Sequence, residues 1–128
     1  MGMLVEREGK ILLIERNKGT PGFALPAGHV DDDAGYESAA KRELKEEVGL
    51  DAQKLELIAE GRKENPCRRE GGVWHYWKIY KVETTGKVSR SKDETKQVGW
   101  YSRAEIKNLP APGLEPVMHD WFQELGII

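Results

Sequence analysis

The sequence predicts an α/β fold in which a mixed β-sheet packs between helices, in a single domain over residues 1–128. Three observations favour this fold. Strand-like segments lie before and after a helical one, an order typical of mixed sheets covered by helices. Residues 73–83 are rich in aromatic and β-branched side chains, which is the strongest strand signal in the chain. The length suits one domain that buries a core without disulfide bonds.

The first quarter of the chain is predicted to hold two strands and a loop. Residues 3–5 and 10–16 read as strands around a turn at Glu8-Gly9. Residues 17–33 contain too many helix and strand breakers for regular structure, namely Gly19, Pro21, Gly22, Pro26 and Gly28. We therefore expect a loop that leads directly into a helix.

That helix is predicted over residues 36–48. Its apolar residues recur at every fourth position and form one stripe, consisting of Tyr36, Ala40, Leu44 and Val48. Asp33 is the predicted N-cap, because a carboxylate there can accept the free backbone N–H groups of the first turn. Gly49 is expected to end the helix in a left-handed conformation.

The second half of the chain is predicted to contain three further strands and two helices. Residues 54–64 alternate as a strand does, residues 73–83 carry the aromatic and β-branched signal, and residues 97–101 are predicted as a last short strand. Ser102 is expected to cap a brief helix that ends before Pro110. The final helix is predicted over residues 115–125, with apolar residues on one side at Val117, Trp121 and Leu125.

Composition excludes several functional classes. The formal net charge of -2 provides no strong field for long nucleic acid or for an anionic membrane. No apolar run approaches the roughly 20 residues of a membrane span. The single cysteine, Cys67, excludes a disulfide framework and suits a reducing compartment, so a cytoplasmic location is expected.

Three carboxylates crowd one edge of the predicted helix, at Glu43, Glu46 and Glu47. Like charges at this spacing repel by roughly 0.2–0.5 kcal/mol per pair. On a helical wheel they occupy an arc beside the apolar stripe, at the border between core and cleft. Such an edge suits a hard divalent cation such as Mg²⁺. The alternative is a solvated face on which Lys41 and Lys45 pair with the glutamates.

Residues 28–50, GHVDDDAGYESAAKRELKEEVGL, resemble the signature of the Nudix (MutT-like) hydrolases, G-x5-E-x7-R-E-U-x-E-E-x-G-U with U aliphatic. The matching positions are Gly28, Arg42, Glu43, Leu44, Glu46, Glu47, Gly49 and Leu50. The preceding LPA and the order of elements are also similar to this family and imply its α/β/α sandwich. Ala34 departs from the signature, because it stands where the family has its first glutamate.

The resemblance implies Mg²⁺-dependent hydrolysis of the pyrophosphate linkage in a nucleoside diphosphate joined to another moiety, with Mn²⁺ as a substitute metal. The implied partner is a small-molecule nucleotide, with no membrane and no long nucleic acid, and family members often form homodimers. The alternative, suggested by Ala34, is a catalytically weak module that binds a nucleotide or regulates through it.

The resemblance also implies residue roles within the signature. Glu46 and Glu47 are the leading metal ligands, and Glu43 is a further ligand or the acceptor of the water's proton. Arg42 orients Glu43 or Glu46 through a charge-assisted hydrogen bond. The backbone at Gly28 contributes a carbonyl ligand, because a glycine allows close approach.

Further candidates lie outside the signature. Glu94 is a distal base or ligand, with a solvated loop glutamate as the equal alternative. Trp74 and Tyr76 share one face of a predicted strand and can stack on a base, with sheet core as the alternative. Phe23 is a second platform, with packing as its alternative. Arg62 can meet phosphates, although a solvated basic turn is the simpler reading.

Overall fold

The computed structural model describes residues 1–17, 21–28, 35–64, 74–91 and 95–128. Within them the chain has the predicted α/β fold, with two β-sheets flanked by helices. The strands are β1 (Gly2–Leu4), β2 (Glu6–Arg7), β3 (Lys10–Arg16), β4 (Phe23–Ala24), β5 (Asp51–Glu64), β6 (Trp74–Thr85) and β7 (Thr95–Tyr101). The helices are α1 (Tyr36–Val48), α2 (Arg103–Lys107) and α3 (Pro116–Glu124).

The first sheet has the strand order β1-β6-β5, with β1 parallel and β5 antiparallel to β6. In the second sheet, β3 pairs antiparallel with β2, β4 and β7. Strand β1 also holds the segment that leads into α1. Met3 N–H donates to Pro26 O at 2.9 Å, and Gly28 N–H donates to Met1 O at 3.2 Å. Residues 26–28 are thereby fixed to the edge of the first sheet.

Two apolar clusters bury the two faces of β6, because adjacent residues of a strand point to opposite sides. Tyr80 belongs to the cluster that contains the inward face of α1, formed by Ala39, Ala40, Leu44 and Val48. Ile79 belongs to the cluster that contains the inward face of α3, formed by Val117, Met118, Trp121 and Phe122. Each such large apolar side chain contributes about 1.5–3 kcal/mol on burial. This packing fixes α1 against the sheet.

Local signals predicted several element ends correctly. Helix α1 covers the predicted residues and ends at Gly49, whose φ is 75°. Ser102 caps α2 through a reciprocal pair of bonds, in which Glu105 N–H donates to Ser102 Oγ and Ser102 N–H donates to Glu105 Oε1. The predicted N-cap of α1 is wrong. Gly35 takes that position without a side-chain bond, and Asp33 lies outside the described residues.

Other differences follow from strand pairing. Strand β5 begins at Asp51 and not at residue 54, because its pairing with β6 starts at the partners Asp51 and Thr85. Strands β2 and β4 were not predicted, since two residues are too short to show periodicity. Helix α3 ends at Glu124, one residue before the predicted end. In the part of the chain that the structure describes, no helix has the length and hydrophobicity of a membrane span.

The end of α1 provides a test of local strain. We expect Gly49→Ala to destabilise the fold by about 1–2 kcal/mol for the left-handed backbone alone, and by more because a Cβ there would lie 2.9 Å from Ser89 Cβ. Urea denaturation measures the loss. Gly9→Ala is the matched control, since Gly9 has a φ of 76° and no neighbour within 4 Å. Equal losses for the two variants would contradict the close contact with Ser89.

Candidate active site

The candidate site lies where residues 27 and 28 meet α1. Ala27 N–H donates to Glu47 Oε1 at 3.0 Å, and Glu47 is only 3% exposed. Glu43 covers Gly28 so closely that an added Cβ would lie 2.3 Å from Glu43 Cδ. A side chain at position 28 would therefore displace Glu43 from its present place. Two consecutive residues of the loop thus lie against two carboxylates that are one helical turn apart.

Arg42 joins the third carboxylate to this arrangement. Its Nη1 donates to Glu43 Oε1 at 3.0 Å and to Glu46 Oε2 at 3.3 Å. The sequence offered these two contacts as alternatives, and the structure contains both. The Glu43 side chain is 16% exposed and that of Glu46 is 48% exposed. Charge-assisted hydrogen bonds to one guanidinium offset the repulsion between the two carboxylates.

A buried ionic group that the sequence did not reveal borders Glu47. Arg16 Nη1 donates to Glu115 Oε2 at 2.9 Å, and Arg16 Nε lies 3.8 Å from Glu47 Oε2. Arg16 Nε is buried and makes no hydrogen bond within the described ranges. Arg16 and Glu115 are 99 positions apart, so no spacing rule connects them. The available signals were an arginine two residues after the apolar run ILLI and a glutamate directly before Pro116.

The amino group of Met1 lies against the same loop. It donates to Gly28 O at 3.0 Å. Burial lowers the pKa of this group from 8.0 to about 6, while the charge of Glu43 raises the pKa and that of Arg16 lowers it. The carbonyl oxygen proposed as a metal ligand therefore already accepts a hydrogen bond from the Met1 amino group.

The donor set fits a hard divalent cation. Three carboxylates and a backbone carbonyl supply only oxygen ligands, which Mg²⁺ prefers. The absence of a Cβ at Gly28 brings Glu43 to the same short segment that holds Glu47. Among the described residues, no three acidic, histidine or cysteine side chains converge as a ready-made metal cluster. For the carboxylates to bind one ion, Glu43 and Glu46 would have to exchange their contacts with Arg42 for contacts with the metal.

Phe23 requires a correction. Its ring was predicted to be a platform for a nucleotide base, but Phe23 is only 4% exposed and belongs to the apolar cluster that contains the inward face of α3. Its ring packs edge-on against Tyr101, with the ring centroids 5.6 Å apart. A ring enclosed in this way cannot stack on a ligand, so the packing alternative holds.

Two of the other substrate candidates lie together on the first sheet. Arg62 and Tyr76 are register partners in the β5–β6 pair, so their side chains point to the same face. Tyr76 is 47% exposed, which leaves part of its ring open to solvent. Two strand residues further on, Lys78 covers the ring of Tyr36 at the start of α1. Trp74 is the first residue of β6, but its side chain is outside the described part of the structure. The residues Glu94 and Ala34 are outside it entirely.

Comparisons with known proteins identify relatives over nearly the whole chain. A family model described as NUDIX domain matches residues 1–125. The ADP-ribose pyrophosphatase of Methanocaldococcus jannaschii is 34% identical over 112 residues, which are 84% of this chain and 61% of that protein. The 8-oxo-dGDP phosphatase NUDT18 of Mus musculus is 29% identical over 119 residues, which are 88% of this chain and 33% of that protein. This chain thus spans less than two thirds of either relative.

Solved structures share the fold. A MutT NUDIX hydrolase from Burkholderia pseudomallei superposes with a TM-score of 0.78 at 24% identity, over 97% of this chain and 94% of that one. The NUDIX domain of Shewanella oneidensis NrtR, solved in complex with ADP ribose, superposes with a TM-score of 0.75 at 17% identity, over 98% and 82%. At these identities the likeness concerns the fold alone.

Gly28→Ala tests the close approach at the centre of the site. Its methyl group would collide with Glu43, so we expect Mn²⁺ to bind about 10-fold or more weakly. Electron paramagnetic resonance of free Mn²⁺, without substrate, measures the affinity. Gly61→Ala is the control, because a Cβ there meets only Trp121 Cη2 at 3.7 Å. An unchanged affinity in the folded Gly28→Ala variant would show that Glu43 need not occupy this position.

Proposed function

Because the chain belongs to the Nudix family, we propose that it is a Mg²⁺-dependent pyrophosphohydrolase of nucleoside diphosphates linked to another group. The observations that support this most directly are the hydrogen bond from Ala27 to Glu47 and the close approach of Glu43 to Gly28. A divalent ion bound there supplies charge neutralisation for phosphate oxygens and lowers the pKa of a bound water. The protein residues hold this ion and the substrate in a reactive arrangement.

The proposed roles follow the positions of the side chains. Glu46 and Glu47 are metal ligands, and Glu43 is a further ligand or accepts the proton of the attacking water. Arg42 orients Glu43 and Glu46, since it donates to both. Gly28 contributes its carbonyl oxygen. These roles are supported by the burial of Glu47 at 3% exposure, which restricts its carboxylate to one direction.

The substrate class is proposed from the relatives and from the exposed face of β6. The two relatives described above bear the names ADP-ribose pyrophosphatase and 8-oxo-dGDP phosphatase. Both names refer to nucleotides, which supports a nucleotide substrate here. Tyr76 is the proposed stacking partner of a base, worth about 1–3 kcal/mol, and Arg62 beside it is the proposed phosphate contact.

A second candidate function is a catalytically weak module that binds a nucleotide or regulates through it. Ala34 favours it, since the family signature has a glutamate at that position. A structural neighbour that carries ADP ribose is consistent with nucleotide binding on this fold. Glu94 as distal base, a cytoplasmic location and a homodimer stay predictions from the sequence.

Hydrolysis by the purified chain tests the proposal. We expect Mg²⁺-dependent cleavage of at least one substrate among nucleoside triphosphates, nucleotide sugars, ADP-ribose, dinucleotides and 5′-triphosphorylated RNA. Glu46→Gln and Glu47→Gln should each lower kcat by about 100-fold, because a metal ligand is lost. Phosphate or nucleotide release measured by chromatography gives kcat.

Glu124→Gln is the matched control, since Glu124 is an exposed α3 residue whose described ionic partner is Lys63. Binding of a nucleotide without hydrolysis of any substrate would favour the second candidate function. If Glu46→Gln and Glu47→Gln changed neither metal nor nucleotide affinity, both candidates would be wrong.

The departure at Ala34 gives a separate prediction. If the missing carboxylate limits the reaction, Ala34→Glu should raise kcat by about 10-fold, because outer groups that orient metal ligands have effects of this size. The measurement is kcat on the substrate found in the screen, with Ala34→Gln as a control for size without charge. An unchanged kcat would mean that another contact already fulfils the role of that glutamate.

A further inference from the structure

We propose that Glu115 is a positioning residue that holds the Arg16 guanidinium away from Glu47 and thereby keeps the Glu47 carboxylate available to a divalent cation. This inference rests on the proposed function, in which Glu47 is a metal ligand. It assigns a role at the site to a residue of the C-terminal segment, far outside the signature in residues 28–50.

The first observation is that Arg16 is shared unequally by two buried carboxylates. Its Nη1 makes a hydrogen bond of 2.9 Å to Glu115, whereas its Nε lies 3.8 Å from Glu47, beyond hydrogen-bonding distance. The side chains of Arg16, Glu115 and Glu47 are 12%, 7% and 4% exposed. Charges attract more strongly in such surroundings than in water. Arg16 is therefore a strong competitor for any cation that approaches Glu47.

The second observation is that the backbone holds Glu115 firmly. Glu115 N–H donates to Phe23 O at 2.9 Å, and Phe23 N–H donates to Gly113 O at 2.8 Å. Glu115 is also the N-cap of α3 and its carbonyl accepts from His119 N–H at 2.9 Å. Because these bonds fix the backbone of Glu115 relative to β4 and α3, they limit how far its carboxylate can move from the guanidinium.

The third observation is the orientation of Glu47. Its Oε1 accepts from Ala27 N–H, and its Oε2 is the oxygen that faces Arg16. Without the charge of Glu115, the guanidinium would gain most by moving onto Glu47 Oε2, where a charge-assisted bond is about 2.7–2.9 Å long. A bond of that kind would have to break before the oxygen could ligate a metal. Glu115 prevents this loss by binding Arg16 itself.

Glu115→Gln tests the inference, since it keeps the size and the hydrogen-bonding capacity of the side chain but removes the charge. We expect Mn²⁺, measured without substrate by electron paramagnetic resonance, to bind about 10-fold more weakly. The Arg16 Nε–H signal in a ¹H–¹⁵N spectrum, assigned with Arg16→Lys, should shift downfield as it gains Glu47 as acceptor. Glu124→Gln removes a charge from the same helix and should leave both readouts unchanged.

An unchanged Mn²⁺ affinity in Glu115→Gln would overturn the inference, and so would a weaker affinity without movement of the Arg16 signal. If Glu115→Gln failed to fold, Glu115→Asp would provide the test, because its shorter side chain also weakens the hold on Arg16. Glu47→Gln distinguishes a failure of the proposed function from a failure of the role proposed for Glu115. If it bound Mn²⁺ as the parent chain does, the proposed function would fail. If Glu47→Gln weakened binding and Glu115→Gln did not, only the role of Glu115 would be wrong.

Discussion

The junction between residues 27–28 and α1 is the contact on which the rest of the site depends. One hydrogen bond from Ala27 to Glu47 and one missing side chain at Gly28 set the distance between loop and helix. The loop side is held by backbone bonds from Met3 and Gly28 to neighbouring segments. The helix side is held by the apolar cluster beneath Ala40 and Leu44. A shift of either side would break the bond between Ala27 and Glu47 and change the space that Glu43 occupies beside Gly28.

The crowding of acidic residues on α1 is explained by how each charge is accommodated. Glu43 and Glu46 share Arg42, and Glu47 turns inward to a backbone N–H and faces Arg16. Buried carboxylates are tolerated only with such partners, because removal from water costs several kcal/mol per ion. In the proposed metal-bound state these oxygen atoms would give up part of these contacts to a hard cation, which prefers oxygen ligands.

The parts of the structure that depend on local sequence were predictable, and those that depend on distant pairing were not. Helix α1 and its end at Gly49 follow from a four-residue apolar period and a left-handed glycine. Strand β4 lies inside the predicted loop, because it is defined by its pairing with β3 and not by a pattern of its own. For the same reason the sequence did not show that Phe23, a residue of β4, is buried. The Arg16–Glu115 bond joins the end of β3 to the start of α3, so only the folded chain reveals it.

The proposed metal site can be located by a crystal structure of the chain grown with Mn²⁺, in which anomalous scattering identifies the metal. We expect a peak beside residues 27–28, with carboxylate oxygens of Glu46 and Glu47 about 2.0–2.3 Å from the ion, a little longer than for Mg²⁺. If a crystal saturated with Mn²⁺ shows its peak elsewhere, or if both carboxylates keep their present contacts, the proposed metal site is wrong.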